Sequence, residues 1–139
     1  MAVRVKLRLT GPGGKEVLST AVLNGGFEVA EPHMLLPHRC AEKLLGDYRS
    51  SAVTQSMEAA GGEISLLLAS EMVTGRVIAQ DHQGHEVKFH VLVSDADEEI
   101  LVSDSGIDAL GIRIESFFPG RWRFADQTII RDAEAPHYW

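Results

Sequence analysis

Asn24 stands before a glycine in the run Asn24-Gly25-Gly26. An unhindered glycine lets its own backbone nitrogen attack the asparagine side chain, so a succinimide forms easily and opens to an acid. Four residues from Asn24, Glu28 is a second source of a carboxylate, although glutamates at such positions are usually solvated loop charges. Histidines gather twice: His82, His85 and His90 around a predicted hairpin, and His33 and His38 close to Cys40. Either set has the ligand types of a metal site. Neither has the paired, closely spaced ligands of a structural zinc motif, so surface histidines are the simpler reading. The run Asp95-Ala96-Asp97-Glu98-Glu99 is read as a solvated turn between strands and carries no functional claim.

Short strands must position these groups. Residues 3–9 alternate Val3, Val5, Leu7 and Leu9 with Arg4, Lys6 and Arg8, the two-residue period of a strand with one face buried. Gly11-Pro12-Gly13-Gly14 is a turn, and residues 17–23 resume the extended pattern to complete a hairpin. After the glycine loop comes the apolar strand Met34-Leu35-Leu36. A short helix then begins at Pro37, buries Cys40, Ala41, Leu44 and Leu45, and stops at Gly46. Residues 52–57 and 64–68 predict a second hairpin with its tip at Ala59-Ala60-Gly61-Gly62, and residues 73–79 and 87–93 a third. The strand Ile100-Leu101-Val102 leads into a brief helix that Ser103 or Asp104 can cap and Gly111 ends. Residues 112–117 and 121–124 form a last hairpin, and residues 126–139 read as a polar tail. Many short strands with two small helices argue for a mostly β barrel or sandwich and against an alternating α/β sheet.

At 139 residues and 45% hydrophobic content the chain suits one compact domain with a real core. No apolar run is long enough to span a bilayer, and the opening Met1-Ala2-Val3-Arg4-Val5-Lys6 alternates apolar and basic residues instead of leading into a signal segment. With a single cysteine, Cys40, the chain has no internal disulfide, which fits a reducing, cytoplasmic setting. The formal charge of −7, with no Lys/Arg block, lacks the electrostatic footprint of a nucleic-acid binder.

The order strand, strand, glycine loop, apolar strand, Leu-Pro, short helix ending in Leu-Gly resembles the retropepsin-like aspartic protease family. In that family the second strand runs into an Asp-Thr/Ser-Gly triplet, and Ala21-Val22-Leu23-Asn24-Gly25-Gly26 stands in the equivalent place. A second match runs from Ile100 to Ile112, which looks like the family's hydrophobic-hydrophobic-Gly strand and the helix after it. Gly120-Arg121-Trp122-Arg123-Phe124 fits the last strand of short microbial members. The resemblance covers residues 3–125. It implies a retropepsin-like closed β-barrel with two short helices over residues 1–125, a tail over 126–139, and a homodimer in which each chain gives one loop to a shared site.

The chemistry of that site needs two carboxylates sharing one proton, because two like charges so close cannot both ionise. Asn24 can hydrogen-bond but does not titrate near neutral pH, and so cannot act as general base on water. Gly25 replaces the family's Thr or Ser, whose hydroxyl interlocks the two loops, whereas Gly26 keeps the third position. Asp104-Ser105-Gly106 spells a protease-like triplet after an apolar strand, but its place in the second match makes it part of the supporting helix. The expectation is therefore a homodimeric peptide-binding or interaction module without proteolytic activity and without a cofactor. One alternative is an active endopeptidase working through Glu28, Asp104 or a carboxylate regenerated at Asn24. The other is a metal-binding β-domain using His82, His85 and His90.

Overall fold

A computed structural model describes residues 2–139. In chain order the elements are β1 (Arg4–Thr10), β2 (Glu16–Leu23), β3 (His33–Pro37), α1 (His38–Leu45), β4 (Val53–Ala59), β5 (Gly62–Leu68), β6 (Val73–Val77), β7 (Val87–Ser94), β8 (Ile100–Val102), α2 (Asp104–Ala109), β9 (Ile112–Phe117), β10 (Gly120–Phe124) and β11 (Arg131–Asp132). The first hairpin follows from alternation: Val5, Leu7 and Leu9 of β1 and Val17 and Ala21 of β2 are buried, in a register that sets Val5 opposite Ala21. Helix α1 starts after Pro37 and stops at Gly46, whose φ of 67° is open to glycine at little steric cost. Ser103 caps α2, its hydroxyl accepting from Gly106 N.

The main sheet runs β3-β8-β2-β1-β6-β7, and a parallel pairing of β3 with β7 joins its two ends into the closed barrel. A mostly β closed barrel with two short helices is thus present. Strand β8 lies between β2 and β3, parallel to the first and antiparallel to the second. The β4–β5 hairpin continues the sheet beyond β7 through two residue pairs, Leu67 with Val93 and Leu68 with Leu92. A separate sheet of β9, β10 and β11 sends Ile112, Trp122 and Phe124 into the barrel core. Among the described residues no helix is long and apolar enough to cross a membrane.

At the centre of the core is Phe89, fully buried, its ring held between two glycines. A Cβ at Gly75 of β6 would lie 2.9 Å from that ring, and one at Gly106 of α2 2.8 Å. Larger residues at these two positions would displace the ring, so the glycines make its space.

The segment that reads as a polar tail lies against the barrel. Residues Arg131 and Asp132 pair with β10, Glu134 N donates to Arg4 O, and Trp139 N donates to Glu98 O. The Trp139 indole donates to Ser19 Oγ at 3.1 Å. These ties are backbone pairings and one indole, which leave no apolar periodicity in the sequence to announce them.

Candidate functional site

Three apolar triplets build two different surfaces. Because neighbouring side chains on a strand point to opposite faces, Met34 and Leu36 enter the barrel core while Leu35 faces away. Val91 and Val93 likewise flank Leu92, and Ile100 and Val102 flank Leu101. Parallel strands covered on both faces carry such unbroken apolar runs, and both β3 and β8 have a parallel partner. The outward side chains Leu35, Leu92 and Leu101 join Phe27, Leu66 and Met57 in a second apolar cluster outside the barrel.

That cluster is partly open. Between it and the β4–β5 hairpin lies a cleft of about 640 Å³. Asn24, Gly26 and Glu28 line one side, and Met57, Glu58, Ala59, Ala60 and Ile64 of the hairpin line the other, with Phe27, Leu35, Leu66 and Leu101 between them and exposed Asp97 at the edge. The hairpin tip expected at residues 59–62 is therefore a wall of the cleft.

The glycine loop is a tight turn set directly after β2. Asn24 N donates to Val102 O at 3.0 Å and Phe27 N to Asn24 O at 3.1 Å, while Asn24 Oδ1 accepts from Gly26 N at 3.1 Å. Such a side-chain-to-backbone turn is a common use of asparagine. Gly25 is exposed, and a Cβ built on it meets no atom within 4 Å. Its φ is not positive. Helix α2 braces the loop from behind: Asp104 N donates to Phe27 O, and Asp104 Oδ1 accepts from Val29 N at 3.1 Å and from Ser105 N at 2.7 Å. Ser103 Oγ, fully buried, also accepts from His33 N at 3.0 Å. Of the candidate carboxylates, Glu28 lines the cleft, whereas Asp104 is a bracket that holds the loop.

Neither of the two histidine groups read from the sequence converges on one point. His82 stands edge-on to Phe124, with centroids 4.6 Å apart, and His85 Nε2 is 2.7 Å from Ala109 O. His90 faces Glu31 at 2.8 Å and lies beside His33, 4.9 Å between ring centres. His38 bonds Tyr48 Oη at 2.6 Å, and Cys40 lies in the core. Among the described residues no three His, Cys, Asp or Glu side chains are placed to hold a metal ion. The sequence groups these histidines by proximity along the chain, whereas the β6–β7 connection gives His82 and His85 different partners and β7 takes His90 to Glu31.

No family model and no curated protein matches this chain.

Two cleft carboxylates, Glu58 and Asp97, were not singled out by sequence reasoning. Asp97 belongs to the acidic run that reads as a solvated turn, and only the position of that turn beside Leu101 brings it to the cleft. A usable signal for the floor does exist in the sequence. The middle residues of Met34-Leu35-Leu36, Val91-Leu92-Val93 and Ile100-Leu101-Val102 must face away from whatever core their neighbours fill.

Cys40 is the one thiol of the chain, and burial pushes it up to about 12 against the weaker opposing pull of Lys43. It is expected to resist alkylation in the native protein at pH 8 and to react only on unfolding. The unfolded thiol ionises above its ordinary value of 9.0 while the folded one keeps its proton to about 12. Between those values the unfolded state binds fewer protons, so stability falls as pH rises, by roughly 1.4 kcal/mol per pH unit from this group. In denaturant titrations across that window the stability of the protein relative to Cys40→Ala should fall with that slope. Parallel curves would remove the assignment.

Proposed function

We propose that this chain is a retropepsin-like half-site which pairs with a second copy and binds an extended peptide without cutting it. The observation that carries this reading is the cleft between the Asn24-Gly25-Gly26 turn and the β4–β5 hairpin, with an amide where acid chemistry would require a carboxylate. In support, the two stretches that resemble the family lie side by side, Ala21 opposite Ile100 and Leu23 opposite Val102. The exposed, unhindered Gly25 leaves the front of the loop free for a like loop from a second copy.

Gly25→Cys tests the pairing. Cys40 is buried and inert, so the introduced thiol is the reactive one. Mild oxidation should give a disulfide-linked dimer, and the unmodified protein should sediment as a dimer at micromolar concentration. A monomer that never cross-links sinks the half-site reading.

A second reading, an endopeptidase with its acid regenerated at Asn24, is favoured by the open space around Gly25. Asn24 is the only asparagine in the chain, so any fast deamidation maps to it. Peptide mapping of aged protein, paired with a cleavage assay at acid pH, decides the matter: an intact amide, or inert deamidated material, rejects this reading.

A further inference from the structure

We infer that the cleft selects peptides in which apolar side chains alternate with lysine or arginine, a preference that rests on the peptide-binding reading above and specifies its ligand. Two independent features meet here. The floor is apolar, made by Phe27, Leu35, Leu66 and Leu101, which form a second hydrophobic cluster left partly uncovered. The charged groups at its edge, Glu28, Glu58 and Asp97, are all acidic, and they come from three different segments of the chain.

What sets them apart is that they line one cleft with no cation beside them among the described residues. Several acidic groups elsewhere are matched, Glu99 by Arg4 at 2.7 Å, Asp81 by Arg131 at 2.7 Å and Asp95 by Arg49 at 3.0 Å, while others such as Glu16, Glu71 and Glu134 are scattered away from the cleft. Among the described residues Glu28, Glu58 and Asp97 have no ion pair. Arg49, the cation near the outer side of the hairpin, is the one already held by Asp95. Three unpaired carboxylates around a low-dielectric floor sum to a negative potential over the cleft, stronger than scattered charges in bulk water would give. An extended segment presents side chains alternately up and down, so one set can fill the apolar floor while the other meets the acidic rim. A polyanion or an acidic peptide would face repulsion at every one of these positions.

The test uses fluorescence anisotropy with three labelled peptides of equal length, alternating leucine with lysine, with glutamine or with glutamate. The lysine peptide should bind about tenfold tighter than the glutamine peptide at low salt, the summed effect of a few exposed charge pairs. The glutamate peptide should bind weakest. The preference should shrink towards unity near 1 M salt, where screening acts within about 3 Å. It should also vanish in the triple variant Glu28→Gln, Glu58→Gln, Asp97→Asn. A control triple variant, Glu16→Gln, Glu71→Gln, Glu134→Gln, removes the same charge away from the cleft and should keep it. Equal binding of all three peptides overturns the selectivity and leaves the peptide-binding reading intact. A lysine preference lost equally in both triple variants overturns the selectivity too, since it then belongs to the net charge of the protein. Failure of every peptide to bind overturns the peptide-binding reading itself.

Discussion

The double variant Asn24→Asp, Gly25→Thr is expected to cleave peptides at acid pH where the unmodified protein does not. In a pair of such chains the two introduced carboxylates would face each other, and only one could ionise readily, giving the acid and base that peptide hydrolysis needs. A threonine at position 25 has room, because nothing lies within 4 Å of its Cβ and its backbone φ is one that any residue adopts. The turn that holds residue 24 is largely backbone, from Asn24 N to Val102 O and from Phe27 N to Asn24 O, so the aspartate inherits the same placement. General acid–base catalysis of this kind contributes about 10²- to 10⁴-fold, and the gain should follow a bell-shaped pH profile. Gly25→Thr alone should stay inactive. A folded, dimeric double variant with no activity above background would show that the loop does not meet a second loop in working geometry.

Phe89→Ala is expected to be the most damaging core truncation, at about 3–5 kcal/mol. Its ring is fully buried and touches both β6 and α2 across glycines, so its loss opens a void that two rigid backbones cannot close. Gly75→Ala sets a methyl 2.9 Å from the same ring and should cost about 1–3 kcal/mol by overpacking. The two changes together should cost less than their sum, since the new methyl enters the space that the ring has left. Urea titrations of the two single variants and the double one measure the coupling. Strict additivity would mean that the ring and Gly75 do not share that space.

The local elements were legible because each has a strong local cause. Alternation in residues 3–9 marks β1, Pro37 and Gly46 bracket α1, and Ser103 or Asp104 marks the cap of α2, which Ser103 supplies. Asn24, Gly26 and Glu28 of the candidate site were legible as well. What the sequence hid was set by pairing over distance. Asp97 and Glu58 reach the cleft only because β8 and the β4–β5 hairpin converge on it. His82, His85 and His90 look like a group until the path of the β6–β7 connection and of β7 gives them Phe124, Ala109 O and Glu31 as partners. Residues 126–139 look unstructured because backbone hydrogen bonds to β10, Arg4 and Glu98 and two isolated side-chain ties, Arg131 to Asp81 and Trp139 to Ser19, hold them in place without any apolar period.

The insertion of β8 between β2 and β3 fixes the order in which the molecule can be assembled. Strands β2 and β3 follow one another in the chain but share no direct pairing in the sheet, because the residues that separate them, Ile100 to Val102, come much later. An emerging chain can make its first hairpin early and must then leave the edge of β2 from Ala21 to Leu23 unpaired until β8 arrives. Closing so long a loop costs entropy before any contact rewards it, which places this barrel among slow folders, on a scale of milliseconds to seconds. During synthesis the gap is a vacant strand position lined with apolar side chains, open to any other extended segment that reaches it first.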